Sequence, residues 1–347
     1  MGLFFSKNKN YLGIDIGTSS IKVVELKREG GQARLFSYGF SENRQAEIKN
    51  DWKIDIINTA AVINKIWEKA GMTSRNAVAA LPAFSVFSSI INLSGVDKKD
   101  IAGAVQWEAK KVIPLPLDEM ILDWKRIESD GKDDKNIKIF LTGAPRTLVK
   151  KYIEIFKEAK INLLSLETET FSLIRSLVGN DKSTMMVVEV GASTTDISII
   201  SKGIPMLSRS IDIGGATITR SISNNLNIGI ERAEQFKYDL GLGSAESWPG
   251  VIPKTINETV SPIINEIKYT LNLFQGKNEM PVEKIILSGG AALLANFADY
   301  LSKIVDKKVI IGSPWSRVSC PVDLKPALDE IGPAMSVAIG LALREIE

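Results

Sequence analysis

Histidine is absent from the chain. That removes histidine-based triads, imidazole metal sites and histidine acid–base catalysis together. A single cysteine, Cys320, excludes an internal disulfide and suits a reducing compartment. It reads as a small, partly buried side chain. Excess charge is also lacking: a net +2 across 347 residues gives no electrostatic case for a nucleic-acid partner. No uninterrupted apolar run approaches the length of a membrane span. The opening MGLFFSKNKN is too short for a signal peptide and reads as a frayed terminus with a few apolar residues. What is present is a soluble globular composition, 44% apolar and 24% charged. The length allows two domains or one bilobed body.

Two segments read alike. Residues 11–26 are YLGIDIGTSSIKVVEL and residues 185–200 are MMVVEVGASTTDISII. Each runs from apolar residues to an acid, one apolar residue, a glycine, a Ser/Thr cluster and a second apolar run. The pattern predicts a strand, a tight polar turn and a returning strand, twice. Gly17 and Gly191 permit the turn and the close approach of a ligand to the backbone. Thr18 and Ser19, and likewise Ser193, Thr194 and Thr195, supply hydroxyls and amides for an anion. Asp15 and Glu189 repel phosphate, so their placement makes sense around hydrated Mg2+, held largely through water. Lys22 can reach a phosphate as a compact positive charge. Either segment alone would read as an ordinary hairpin; the matched pair points to two half-molecules clasping a phosphate chain.

Between the repeats, residues 32–40 read as a strand and 53–70 as an amphipathic helix stopped by Gly71. A buried strand at 77–81 ends at Pro82. Residues 80–143 then read as a strand–helix–strand–strand insert, with the proline-marked loop 113-IPLPL-117 and the charged loop 128-ESDGKDDKN-136. A helix at 147–160, a strand at 161–167 and a helix at 169–178 lead to the second repeat. Beyond it come a hairpin at 197–211 and a glycine turn at Gly214 and Gly215. Helices follow at 216–227, 230–240 and 253–274. The run 285-IILSGGAALLANF-297 reads as a strand, a glycine turn and a helix N-terminus, suited to stacking on a flat ligand or receiving phosphate. A strand at 307–311 and an apolar helix at 333–346 close the chain.

The ordered set Asp15-Ile16-Gly17-Thr18-Ser19, Glu189 to Thr195, and Ser288-Gly289-Gly290-Ala291 resembles the two phosphate turns and the adenosine motif of the actin/hexokinase/FtsA superfamily. The chain is further similar to the PilM family of pilus assembly proteins at LGIDIGTSSIKVVEL, 103-GAVQWEAKKVIPLPLDEM-120, 213-IGGATITRSI-222, 232-RAEQFKYDLG-241 and 337-VAIGLALR-344. The resemblance implies an α/β, actin-like ATPase fold of two lobes, each a mixed sheet with flanking helices. Residues 1–182 would form the first lobe (subdomain 1A), with 80–143 as an FtsA-type 1C insert. Residues 183–332 would form the second (2A), with 2B at about 225–280, and 333–347 a helix returning to the first. It implies ATP and Mg2+ as ligands. Gly214 and Gly215 would line the phosphate end, Glu234 and Lys237 would meet ribose and adenine, and Gly289, Gly290, Ala291 and Asn296 would sit near the base. The implied partner is the cytoplasmic N-terminal peptide of PilN, with other inner-membrane and motor proteins of the pilus. That would make the chain cytoplasmic and peripheral at the inner membrane. The expected groove lies beside the insert, lined by Val86, Phe87, Ile90, Trp107, Ile113 and Leu115.

One departure stands out: the superfamily usually carries Asp where this chain has Glu189. The extra methylene shifts a carboxylate near a geometrically strict ion, so the expectation is nucleotide binding with weak or absent hydrolysis. Asp196 is a nearby substitute if strand alternation does not turn it away. No catalytic residue declares itself. A small-molecule kinase is the alternative; its catalytic Asp would come from Asp97, Asp100, Asp118, Asp123, Asp130, Asp133 or Asp134, several of which lie in charged loops.

Overall fold

The computed structural model describes residues 10–42, 55–127, 136–242, 251–276 and 280–346. The expected frayed terminus and the charged loop at 128–135 lie outside the described residues. The first half contributes β1 (Asn10–Ile16), β2 (Ser20–Glu29), β3 (Gln32–Glu42), α1 (Ile56–Lys69), β4 (Asn76–Leu81), β5 (Phe87–Ser94), α2 (Ile101–Val112), β6 (Met120–Ile127), β7 (Asn136–Pro145), α3 (Arg146–Glu158), β8 (Asn162–Thr168) and α4 (Glu169–Leu173). The second contributes β9 (Met185–Val190), β10 (Thr195–Ser201), β11 (Ile204–Ile211), α5 (Gly215–Leu226), α6 (Ile230–Leu240), α7 (Val251–Gln275), β12 (Lys284–Ser288), α8 (Phe297–Val305), β13 (Lys308–Ile311) and α9 (Lys325–Leu343).

Two five-stranded sheets share one design. Their orders are β3-β2-β1-β4-β8 and β11-β10-β9-β12-β13. In each, a three-stranded antiparallel meander is followed by two parallel strands. The central strands are buried on both faces, which is why β1 and β9 read as near-continuous apolar runs. Helices cover them by apolar stripes: Ala60, Ile63 and Ile66 of α1 and Tyr152, Ile155 and Phe156 of α3 close over Leu12, Ile14 and Ala79. Asp55 starts α1 by accepting the amide of Asn58 at 3.1 Å.

The long helix α9 lies against both halves. Its Ala338, Ile339 and Ala342 pack with Val24 and Leu26, while Val337 and Leu341 join Val78 and Ala80 of one sheet to Met185, Val187 and Ile286 of the other. The approach requires missing side chains: a Cβ at Gly13 would overlap the Ala338 carbonyl, and one at Gly340 would overlap that of Ser172. This helix starts at Lys325, so Pro333 lies inside it rather than at its beginning. Residues 322–343 are long and apolar enough to cross a membrane, contrary to the expectation from uninterrupted runs, but 67% of the segment's apolar window is buried between the sheets.

The insert forms a third sheet, β5-β7-β6, all antiparallel. Ile101, Val105 and Ala109 of α2 cover Ile91, Ile139 and Leu141 on one face. On the other, Phe140 meets Phe171 edge-on at 5.3 Å between ring centres. The insert begins at Ala83 and not at residue 80, because Ala80 and Leu81 complete β4.

Candidate functional site

The turn between β1 and β2 is closed by the Gly17 amide donating to the Ser20 carbonyl at 3.0 Å. The turn between β9 and β10 is closed in the same way, Gly191 donating to Thr194 at 2.9 Å. The two turns touch: the Ser193 hydroxyl donates to Thr18 Oγ1 at 3.0 Å. The repeated segments thus meet tip to tip, with Thr18, Ser19, Ser193 and Thr194 partly exposed at the junction.

Register places the acids. Asp15 sits across from Lys22, and Glu189 across from Asp196. Cross-strand partners share a face, so Asp196 points to the same side as Glu189; the alternation that would have turned it away turns away Thr195 instead. Thr195 is fully buried and donates to the Ile213 carbonyl at 2.6 Å, which contradicts its expected place on the ligand. Lys22 and Asp196 are equivalent positions of the repeat, and only the first carries a cation. Lys22 Nζ lies 2.9 Å from Asp15 Oδ2, and its side chain is largely buried. Burial alone would lower its pKa; Asp15 outweighs this, with Glu189 and Glu169 adding to the rise.

Glu169, the first residue of α4, is a member that sequence reasoning missed. Its Oε2 accepts the Ala83 amide at 2.7 Å. Burial raises its pKa well above the carboxylate range, with Glu189, Asp196 and Asp15 adding repulsion. Burial, then Asp15 and Asp196, pushes Glu189 up to about 8. Burial also raises Asp196, against hydrogen bonds from Ser210 and Thr194, the latter at 3.2 Å. Four carboxylates thus lie close enough to act on one another, and three of them, Asp15, Glu189 and Glu169, act on Lys22. Glu189 Oε2 and Asp196 Oδ1 are buried and make no hydrogen bond. Such orphaned oxygens fit a hard divalent cation. Among the described residues no three acidic, histidine or cysteine side chains converge on a common metal position. A cation here would therefore take one or two carboxylates and keep its waters, the habit of Mg2+.

Around the second turn, the Gly215 and Ala216 amides at the start of α5 donate to the Gly191 and Ala192 carbonyls, both at 2.9 Å. Gly214 and Gly215 therefore buttress the turn, and the Gly215 amide is already engaged. Lys237 is buried and bound to Glu234 at 2.6 Å, Thr219 at 3.0 Å and the Gly215 carbonyl at 3.4 Å. In this arrangement its ammonium ties α6 to α5, where the resemblance implied a contact with ribose and adenine. Glu234 also accepts from Thr219, and its side chain remains 40% exposed.

Gly289 has φ 84°, and a Cβ there would overlap the Val190 carbonyl. Gly290 faces open space, and Ala291 packs beside Gly215. The segment after β12 is a short 3-10 turn, Gly290–Leu293, and α8 begins only at Phe297. The expected helix N-terminus beside the glycines is therefore absent from that position. Asn296 is exposed and left-handed at the start of α8. A cavity of about 470 Å³ lined by Arg28, Gln32 and Arg317 lies at the far end of β2 from the turns and is no part of this cleft.

The expected groove residues divide. Trp107 and Leu115 are 64% and 48% exposed. Phe87 is half-buried against the insert core and Val86 against the first-lobe core. Ile90 is half-buried opposite Phe140. Ile113 belongs to the insert core at 6% exposure and is withdrawn from the groove.

Residues 13–346 match the profile of a family described as Type IV pilus assembly protein PilM. In structure the chain is similar to one in the PilM-PilN type IV pilus biogenesis complex, with a TM-score of 0.84 and 23% identity over 97% of this chain and 98% of that one. It is similar also to MreB 5 of Spiroplasma citri, solved with AMPPNP bound, with a TM-score of 0.54 and 15% identity over 96% and 94%. In sequence it is 22% identical to the cell division protein FtsA of Enterococcus faecalis (strain ATCC 700802 / V583), over 89% of this chain and 80% of that protein. The fold is that of the actin-like ATPases. With its profile matched across nearly its whole length, the chain belongs to the PilM family of type IV pilus assembly proteins.

Proposed function

We propose that the chain is an ATP-binding scaffold of the pilus machinery that holds the N-terminal cytoplasmic tail of a PilN protein and links the inner-membrane complex to the motor. The observation that carries the nucleotide half is the hydroxyl contact between Ser193 and Thr18, beside the orphaned oxygen of Glu189. Thr18, Ser19, Ser193 and Thr194, with the remaining turn amides, would receive phosphate oxygens. Lys22, released from Asp15, would add a positive charge. Asp15 and Glu189 would hold Mg2+ largely through its waters, and the ion would supply the positive charge that lets phosphates enter an acidic cleft. Gly290 and Ala291 would face the base. Glu169 is the acid left to orient a water, but its bond to Ala83 restrains it, so turnover is expected to be slow or absent.

The partner half rests on family membership and on the exposed Trp107 and Leu115, beside the extended loop of Pro114 and Pro116. An extended peptide captured in a groove is an established mode of recognition. The FtsA-type identity of the insert is part of the same proposal. The family match does not favour the small-molecule kinase. Isothermal titration with Mg-ATP tests the reading. Asp15→Ala and Gly290→Arg are each expected to weaken binding at least tenfold; wild-type affinity in both would remove these assignments. Gly290→Arg is informative because a Cβ at that glycine meets no protein atom within 4 Å, so the arginine would project into the space proposed for the base.

A further inference from the structure

The insert is attached to the cleft at two places. At its root, the Ala83 amide donates to Glu169 Oε2 at 2.7 Å. Glu169 faces the charges of Asp15, Glu189 and Asp196. At its flank, β5 and the turn Ala83–Ser85 adjoin β11 of the second half. Ser210 of β11 in turn bonds Asp196. Both threads run from a cleft carboxylate, through one hydrogen bond or one packed strand, to the base of the same small domain. Pro82 and the short turn Ala83–Ser85 lead into β5, and the chain leaves the insert where β7 runs directly into α3.

We propose that Glu169 is a positioning residue that couples the cleft to the insert: a cation and nucleotide bound among Asp15, Glu189 and Asp196 fix the Glu169–Ala83 bond, and with it the placement of the insert and its peptide groove. This inference rests on the function proposed above and adds its regulation. The physical reason is charge crowding. With no cation, burial and the three neighbouring acids favour the neutral form of Glu169, whose bond to the Ala83 amide is then an ordinary one. A divalent ion among those acids favours the ionised carboxylate, and the same bond becomes the stronger, charge-assisted kind. Tail binding to a fixed groove then avoids the cost of ordering it. By linkage, the tail must raise nucleotide affinity by the same factor.

The test uses the full chain, Mg-ATP and a synthetic N-terminal peptide of the cognate PilN. Each ligand is titrated alone and in the presence of the other. The wild type is expected to bind the peptide about tenfold more tightly with saturating Mg-ATP, and the nucleotide more tightly by the same factor. Ala83→Pro removes only the donor. Pro82 is already extended, at φ −57° and ψ 135°, as a residue before proline must be, and the first position of a helical turn accepts proline. In Ala83→Pro each ligand alone is expected to bind within about twofold of wild type, while the coupling factor falls to near one. Glu169→Ala is expected to lose the coupling too, whereas Glu169→Gln, whose amide oxygen still accepts, retains part of it. Hydrogen exchange in β5 and α2 provides a second readout, slowed by Mg-ATP in the wild type but not in Ala83→Pro. Full coupling in both Ala83→Pro and Glu169→Ala overturns the inference, as does a wild type that binds both ligands independently. A wild type that binds neither ligand overturns the proposed function itself, a different and separately visible result.

Discussion

Glu25 and Glu189 are both interior carboxylates on strands, and their surroundings give them opposite parts. Glu25 is fully buried and accepts from Asn10 at 2.7 Å, the Thr73 amide at 2.8 Å, the Thr73 hydroxyl at 2.7 Å and the Ser74 amide at 3.1 Å. It pins the loop after α1 to β2. Glu189 keeps one oxygen without a partner and lies among other acids. With its pKa raised to about 8, folding favours the protonated form. The stability this gives is complete below the ordinary carboxylate range and is lost as pH rises through about 8. Glu169 and Asp196, also raised, act in the same direction. In the absence of nucleotide the melting temperature is therefore expected to fall between about pH 5 and pH 8, by roughly 5 °C. Glu189→Gln should flatten that slope, and Mg-ATP should restore stability at the alkaline end; a scanning-fluorimetry series across pH reads both. Asp15 and Glu189 were legible because a carboxylate before a Gly–Ser/Thr turn has few ordinary uses. Glu169 was not, since a glutamate in the first turn of a helix is commonplace for its favourable dipole. Asp196 was readable in principle: the seven-residue spacing that places Lys22 opposite Asp15 also places Asp196 opposite Glu189.

At the scale of elements, the insert shows how pattern and placement part. Its strands and helix were evident from periodicity, but which apolar side chains face inward depends on the register of β5-β7-β6 and on where α2 lies. Ile113 follows α2 directly and turns into the core, while Trp107, nearly two turns back, stays outside. Substitutions should separate the two. Ile113→Ala is expected to destabilise the protein by about 2–4 kcal/mol. Trp107→Ala and Leu115→Ala should leave the melting temperature nearly unchanged and weaken tail-peptide binding several-fold. Denaturation and peptide titration on the same three variants check this; unchanged peptide affinity in both surface variants would move the groove elsewhere. The late start of α8 has a similar lesson. Gly289 and Gly290 announced a tight turn, but φ 84° at Gly289 leads into a 3-10 turn, and the helix begins only at Phe297.

For the molecule as a whole, the repeat visible in two short segments extends to the order and direction of every strand in both sheets. Sequence similarity showed it only at the turns, because elsewhere the halves need only apolar residues at matching depths. The close contacts of α9 are a second global feature, hidden from pattern because they depend on glycines meeting backbone: Gly13 against Ala338 and Gly340 against Ser172. Gly13→Ala is expected to destabilise the protein by about 1–3 kcal/mol, measured by chemical denaturation, although alanine is the smallest possible change. That helix also bears on biosynthesis. Val24 and Leu26 are made early, yet the residues that shield them, Ala338 and Ile339, emerge from the ribosome some three hundred positions later. That face of the amino-terminal sheet therefore stays uncovered until those later residues have been made.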